Sequence, residues 1–184
     1  MDTRSQIIEA ARRCFLARGY RGTSIADIRR EADVTTGSIY HFFDSKAELA
    51  LLVLKSAIWE WAQAVPREAP FEVRLKMSVR AMVIWGRGNK QLSSLLDEIR
   101  TLSHTDADLA CVKAWVDEQL TSAEADYRAA MQRGEVRPLR WAVARSFFFG
   151  PFHDYIRLDT EDINVEEDAE IIAEQAWEAV RARP

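Results

Sequence analysis

The chain is poor in the residues that punctuate loops and strands. It has seven Gly and five Pro among 184 residues. No stretch alternates apolar and polar residues with period two, so β architectures are set aside and an all-α fold is expected. Two cysteines, Cys14 and Cys111, are too few for a disulfide scaffold or a thiolate metal centre, and both are read as reduced, mostly buried thiols. The three histidines, His41, His104 and His153, are far apart and form no metal-binding pair. There is no nucleophile elbow and no glycine-rich phosphate loop. No metal, cofactor or catalytic activity is therefore expected. Long apolar runs are also missing. Residues 47–57 are apolar but interrupted by Lys55, well short of the roughly 18–20 residues that span a bilayer. No signal-peptide core follows Met1. These absences describe a soluble, cytoplasmic protein that binds no membrane.

What is present is a globular composition with a mixed surface. The formal net charge is −4, which looks unsuited to a polyanionic partner, but its distribution matters more than its sum. Residues 1–50 hold eight Lys and Arg against seven Asp and Glu, and the remainder hold seventeen against twenty-two. A slightly basic end on an acidic body fits a small DNA-contact surface joined to a larger domain with another task.

Helical periodicity divides the chain into consecutive segments. The first, residues 3–18, repeats Ile7, Ile8, Ala11, Cys14 and Phe15 at helical spacing and stops at Gly19. Thr23 or Ser24 can cap a second helix over 25–32, with Asp27 near its N-terminus. After the turn at Asp33-Val34, a third short helix covers about 36–43, and a long fourth runs from Lys46 to about residue 65. The region around Pro66 and Pro70 is the best linker. Five more helices are expected over 71–87, 91–102, 106–132, 138–158 and 165–181. The last break falls at Asp159-Thr160. Pro138 suits the first turn of its helix, and Pro151 either kinks that helix or divides it.

The informative stretch is Thr23-Ser-Ile-Ala-Asp-Ile-Arg-Arg-Glu-Ala-Asp-Val-Thr-Thr-Gly-Ser-Ile-Tyr-His-Phe-Phe-Asp-Ser-Lys46. Helices this short do not persist alone in water and must be held by packing. Ile25, Ile28, Ala32, Val34, Ile39 and Phe43 supply an apolar seam against Ile8 and Phe15. Thr35, Thr36, Gly37, Ser38, Tyr40 and His41 remain outward, with no acid among them. Gly37 lets the backbone approach DNA, Thr side chains can meet base edges, and Tyr40 and His41 can donate to phosphates. Lys46, at the start of the fourth helix, and Thr23 and Ser24, at the start of the second, stand where backbone N–H groups favour a phosphate. A bland alternative is that each of these residues belongs to an ordinary solvated helix.

On these residues the chain strongly resembles the tetracycline-repressor (TetR) family. The matching elements are Gly19-Tyr20, Thr23-Ser24, Asp27-Ile28, Ala32, Val34, Gly37-Ser38-Ile39-Tyr40, Phe43 and Ser45-Lys46, within about residues 5–52. Two positions depart from the pattern. Arg29 stands where a small residue is usual, and Asp33 where Gly often makes the turn, although Asp tolerates a left-handed backbone. The resemblance implies a recognition helix containing Thr35, Thr36, Gly37, Ser38, Tyr40 and His41, with Lys46 beside it. It further implies an N-terminal three-helix helix-turn-helix DNA-binding domain (residues 1–46) and a larger helical ligand-binding and dimerisation domain (47–184). The partners implied are a palindromic double-stranded operator, a small-molecule effector and a second copy of the chain, and the action implied is repression.

The body is rich in large aromatics. Trp61, Trp85, Trp115, Phe148 and Phe152, with His104, Asp117 and His153 as polar groups, can line an effector pocket, or the aromatics can simply fill a core. The last two helices are candidates for the dimer interface, through residues 140–150 and a stripe of Ile171, Ile172, Ala176, Trp177 and Val180, with small Ala173 and Ala176 allowing close approach. The same stripe can equally serve an intramolecular core. The alternative function is a helical protein-interaction module whose DNA-binding domain is unused.

Overall fold

A computed structural model describes residues 2–158 and 164–183. Among them the chain is helical throughout: α1 (Thr3–Arg18), α2 (Ile25–Ala32), α3 (Thr36–Phe42), α4 (Lys46–Ala62), α5 (Phe71–Gly88), α6 (Lys90–Leu102), a 3-10 turn (Ala107–Leu109), α7 (Ala110–Gln132), α8 (Trp141–Tyr155) and α9 (Val165–Val180). The expected break at Asp159-Thr160 lies outside the described residues.

Most boundaries follow from capping chemistry. Asp2 accepts from the Ser5 N–H and starts α1. Gly19, at φ 71°, ends it, with its N–H donating to the Phe15 carbonyl. Ser24, not Thr23, caps α2, and Asp27 returns a bond to the Ser24 N–H to complete a capping box. Thr35 caps α3 and Asn164 caps α9 by the same side-chain device. Asp33 occupies the left-handed region at φ 49°, ψ 50°, as the turn between α2 and α3 requires.

The chain divides into two compact units. The first comprises residues 1–58 and 91–118, and the second residues 59–90 and 119–184. In the first, α1 packs on α2 and α2 on α3. Ile7, Phe15, Ile28, Ile39, Phe43 and Leu49 are buried almost completely, which is where the alternation of the short helices puts them. Ile8, Ile25 and Val34 are half-buried at the rim. Gln6 donates across this packing to the Ala32 carbonyl at 2.8 Å.

In the second unit α5 packs on α9 and α8, and α8 on α9. Phe71, Val79, Val83, Tyr127, Phe148 and Trp177 belong to one core cluster. Two details correct the sequence expectation. Pro138 is not in a first helical turn. Val136 forms an isolated antiparallel bridge with Arg181, and the Arg137 N–H donates to the Val180 carbonyl at 2.8 Å, so the chain is extended there and α8 begins only at Trp141. The segment 106–132 opens as a 3-10 turn before becoming α7. Pro151 lies inside a single α8. The stripe on α9 is largely consumed within the chain, since Ala173, Ala176, Trp177 and Val180 all lie in the core cluster. Ile171 is left 52% exposed and Ile172 half-buried.

Candidate nucleic-acid interface

The packing that buries Ile39 and Phe43 turns the other side of α3 outward. Thr36, Gly37, Tyr40 and His41 are exposed, Tyr40 at 55%. The Thr35 hydroxyl accepts from the Ser38 N–H at 3.1 Å and lies 2.9 Å from the Ser38 hydroxyl, so these two residues cap the helix and share a hydrogen bond. At Gly37 an added methyl would meet nothing nearer than the Thr35 hydroxyl at 3.7 Å. The protein does not need glycine there for space. Phe42, beside His41 with ring centroids 4.8 Å apart, is also partly exposed.

The N-terminus of α2 is held by polar contacts around Asp27. Its carboxylate accepts from the Ser24 hydroxyl at 2.6 Å and the Ser24 N–H at 3.0 Å, and pairs with Arg18 at 2.8 Å. Those hydrogen bonds, and then the Arg18 guanidinium, bring its pKa down to about 2. The Ser24 hydroxyl is therefore exposed but engaged in its own capping box.

Two residues expected at phosphates have hydrogen-bond partners within the chain itself. Thr23 is 2% exposed, and its hydroxyl faces the Cys14 and Gly19 carbonyls at 3.0 and 2.9 Å. That bond ties the α1–α2 connection to α1. Lys46 donates from its ammonium to the Tyr20 and Thr23 carbonyls at 3.0 and 2.9 Å and stands 4.2 Å from the centre of the Tyr20 ring. Burial pulls its pKa below the ordinary lysine value, with Asp106 and Asp108 opposing. Burial, then those same acids, pushes Tyr20 up to about 12. The N-terminus of α4 is occupied as well, since the Glu48 carboxylate accepts from the Asp44 N–H at 2.8 Å and the Ser45 hydroxyl accepts from the Glu48 N–H. Sequence reasoning missed Tyr20 as the platform under Lys46. Only its place beside Gly19, where the chain reverses, hinted at it.

The aromatic and polar residues considered for an effector pocket do not gather in one unit. Trp61, Trp85, Phe148, Phe152 and His153 lie in the second unit, and His104, Trp115 and Asp117 in the first. Phe148 and Phe152 are core residues. Trp61 is half-buried, and the Trp85 indole N–H donates to the Glu60 carboxylate at 2.7 Å. Lys55 lies over the Trp115 ring at 5.6 Å, Asp117 pairs with Lys113, and His104 is exposed.

Three short packed helices, with a tight left-handed turn before a third helix whose outer face is small and hydrogen-bonding, define a helix-turn-helix protein, the class that places such a helix in the major groove. Residues 7–53 match the family model of bacterial regulatory proteins, tetR family. Over 67 residues the chain is 42% identical to the HTH-type transcriptional regulator HbdR of Aromatoleum sp. (strain CIB), which is 36% of this chain and 29% of that one. It spans less than a third of the length of the curated relatives it matches first. Its fold is similar to that of a TetR family transcription regulator from Marinobacter aquaeolei VT8, with a TM-score of 0.77 at 19% identity over 98% of this chain and 96% of the other. It is also similar in fold to AibR, solved in complex with isovaleryl coenzyme A and operator DNA, with a TM-score of 0.68 at 21% identity over 97% of both chains. Residues 7–53 are thus similar to the DNA-binding module of the TetR family, and the chain as a whole shares the fold of solved TetR-family regulators. No helix among the described residues is long and apolar enough to cross a membrane.

Proposed function

We propose that this chain is a dimeric one-component repressor that reads operator DNA through α3 and leaves it when a small molecule binds. The observation that carries the reading is the division of α3 into a buried side, Ile39 followed by Phe43, and an exposed side of Thr36, Gly37, Tyr40 and His41 that carries no acid. Thr36 and Gly37 meet base edges, while Tyr40 and His41 meet the backbone. Thr23, Ser24, Thr35, Ser38 and Lys46 hold that surface in place. Residues 1–46 form the reading domain in this scheme, and 47–184 carry effector binding and dimerisation.

Dimerisation uses the outer surfaces of α8 and α9, where Phe147 and Ile171 remain exposed after the core has taken its share. Two modules about 34–36 Å apart reach successive major grooves of a palindromic site, and occupation of that site is itself enough to block transcription. AibR carries an acyl coenzyme A and its operator in one complex, which supports effector control here. Half-buried Trp61, Trp85 and His153 of the second unit are the effector contacts proposed. The effector must favour the conformation that binds DNA poorly, and a tenfold to hundredfold release needs only about 1.4–2.8 kcal/mol of coupling. The protein acts in the cytoplasm.

Fluorescence anisotropy against the DNA upstream of its own gene, with random duplex as competitor and size-exclusion in parallel, tests this. The expected result is a dimer whose binding resists the competitor. A monomer with no affinity for any duplex would overturn the reading and leave a helical protein-interaction module in its place.

A further inference from the structure

The cations of the reading module are mostly committed. Arg13 pairs with Glu31 at 2.7 Å, and Arg18 and Arg30 with Asp27 at 2.8 and 3.5 Å. Arg4 lies over the Phe43 ring, Lys46 is fastened to the Tyr20 and Thr23 carbonyls, and Arg12 has a partner of its own. Arg21, in the α1–α2 connection, and Arg29, on α2, are exposed and make no such contact among the described residues, and of the two only Arg29 stands on the helix that precedes α3. Its place on α2 follows from its neighbours. Asp27 and Glu31 face α1 through Arg18 and Arg13, and Ile28 and Ala32 face the core. At about 100° per residue, Arg29 comes out about 160° round from both Asp27 and Glu31, on the flank away from α1. Its carbonyl accepts from the Val34 N–H at 3.2 Å, so it stands directly before the turn into α3.

In a helix-turn-helix the first helix of the pair crosses the phosphate backbone while the second enters the groove. A guanidinium on the free flank of that first helix has no ion pair to break, and it matches a phosphate with two parallel hydrogen bonds. We propose that Arg29 grips a backbone phosphate of the DNA duplex beside the groove that α3 enters, and that Lys46, held by Tyr20 and Thr23, makes no phosphate contact. This rests on the DNA-binding reading above. It accounts for a cation at a position where a small residue is usual, since the residue there is exposed.

The test is affinity for a short random duplex between about 50 and 200 mM salt, using the full chain and Arg29→Ala, Arg29→Lys, Lys46→Met and Lys113→Ala, with circular dichroism to confirm that each is folded. Arg29→Ala lowers the slope of log K against log salt by about 0.9 for each protomer, about 1.8 for the dimer, and weakens binding alike on all sequences. Arg29→Lys keeps the slope. Lys113→Ala, which removes one charge from α7, leaves it unchanged, as does Lys46→Met. If the unsubstituted chain binds in a salt-dependent way and Arg29→Ala has the same slope, the phosphate grip is wrong while the DNA-binding reading stands. A slope lowered as much by Lys46→Met as by Arg29→Ala overturns the assignment of Lys46. Absence of salt-dependent binding by the unsubstituted chain overturns both readings together.

Discussion

Gly86 of α5 and Phe152 of α8 meet so closely that a methyl group on Gly86 would lie 2.6 Å from the Phe152 ring and 2.9 Å from the Ile156 side chain. Glycine here sets how near the two helices come. Gly86→Ala gains helix propensity of about 0.5–1 kcal/mol, but overpacking costs about 1–3 kcal/mol. The net expectation is a loss of up to about 2.5 kcal/mol in urea unfolding. Adding Phe152→Leu should recover part of it. Gly86→Ala as stable as the unsubstituted chain would mean that the crossing is loose.

Gly37→Ala should behave in the opposite way. The added methyl makes only an ordinary contact with Thr35, so stability is unchanged or raised by up to about 1 kcal/mol. Operator affinity should fall at least about tenfold, the equivalent of about 1.4 kcal/mol, because the methyl stands between the backbone and the DNA. Thermal unfolding and anisotropy on one preparation separate the two effects. Equal affinity for operator would show that α3 does not approach DNA through Gly37.

Asp27 makes the module acid-sensitive. Its pKa is about 2 in the folded chain against an ordinary 3.8. Between those values the unfolded chain takes up the proton and the folded chain does not, so stability rises with pH across that window. The contribution is complete above about pH 4 and disappears as pH falls through 2. Asp27→Asn should lower stability at neutral pH and flatten the decline between pH 4 and 2. An acid limb identical in the two proteins would place the sensitivity elsewhere.

Lys46→Met should cost about 2 kcal/mol, from two charge-assisted bonds at a partly exposed site and the contact with the Tyr20 ring. The loss should persist at high salt, because carbonyl acceptors are less screened than a surface ion pair. A loss that vanishes in 1 M salt would point to Asp106 and Asp108 as the main partners.

Much of the architecture was legible because local chemistry decides it. Gly19, Ser24 with Asp27, and Thr35 mark the ends of α1, α2 and α3, and Asp33 accepts the left-handed turn expected of it. The third helix could be divided into buried and exposed residues by spacing alone. What spacing does not reveal is the partner on the other side of a contact. Lys46 reads as a surface cation until folding brings up to it the Tyr20 and Thr23 carbonyls, which lie 26 and 23 positions earlier in the chain. The periodicity of α9 shows which side is apolar but not that α5 covers it. Pro138 looks like a helix start because the pairing of Val136 with Arg181 is invisible from either segment alone.

On α3, the residues that hold the fold and those that face outward alternate without sharing a position: Ile39 and then Phe43 inside, Thr36, Gly37, Tyr40 and His41 outside. Drift at the outer four therefore costs the scaffold little. A lineage carrying this module can trade one target sequence for another by a handful of substitutions, each intermediate still folded, and the same freedom makes these four positions the natural place to randomise when a new specificity is wanted.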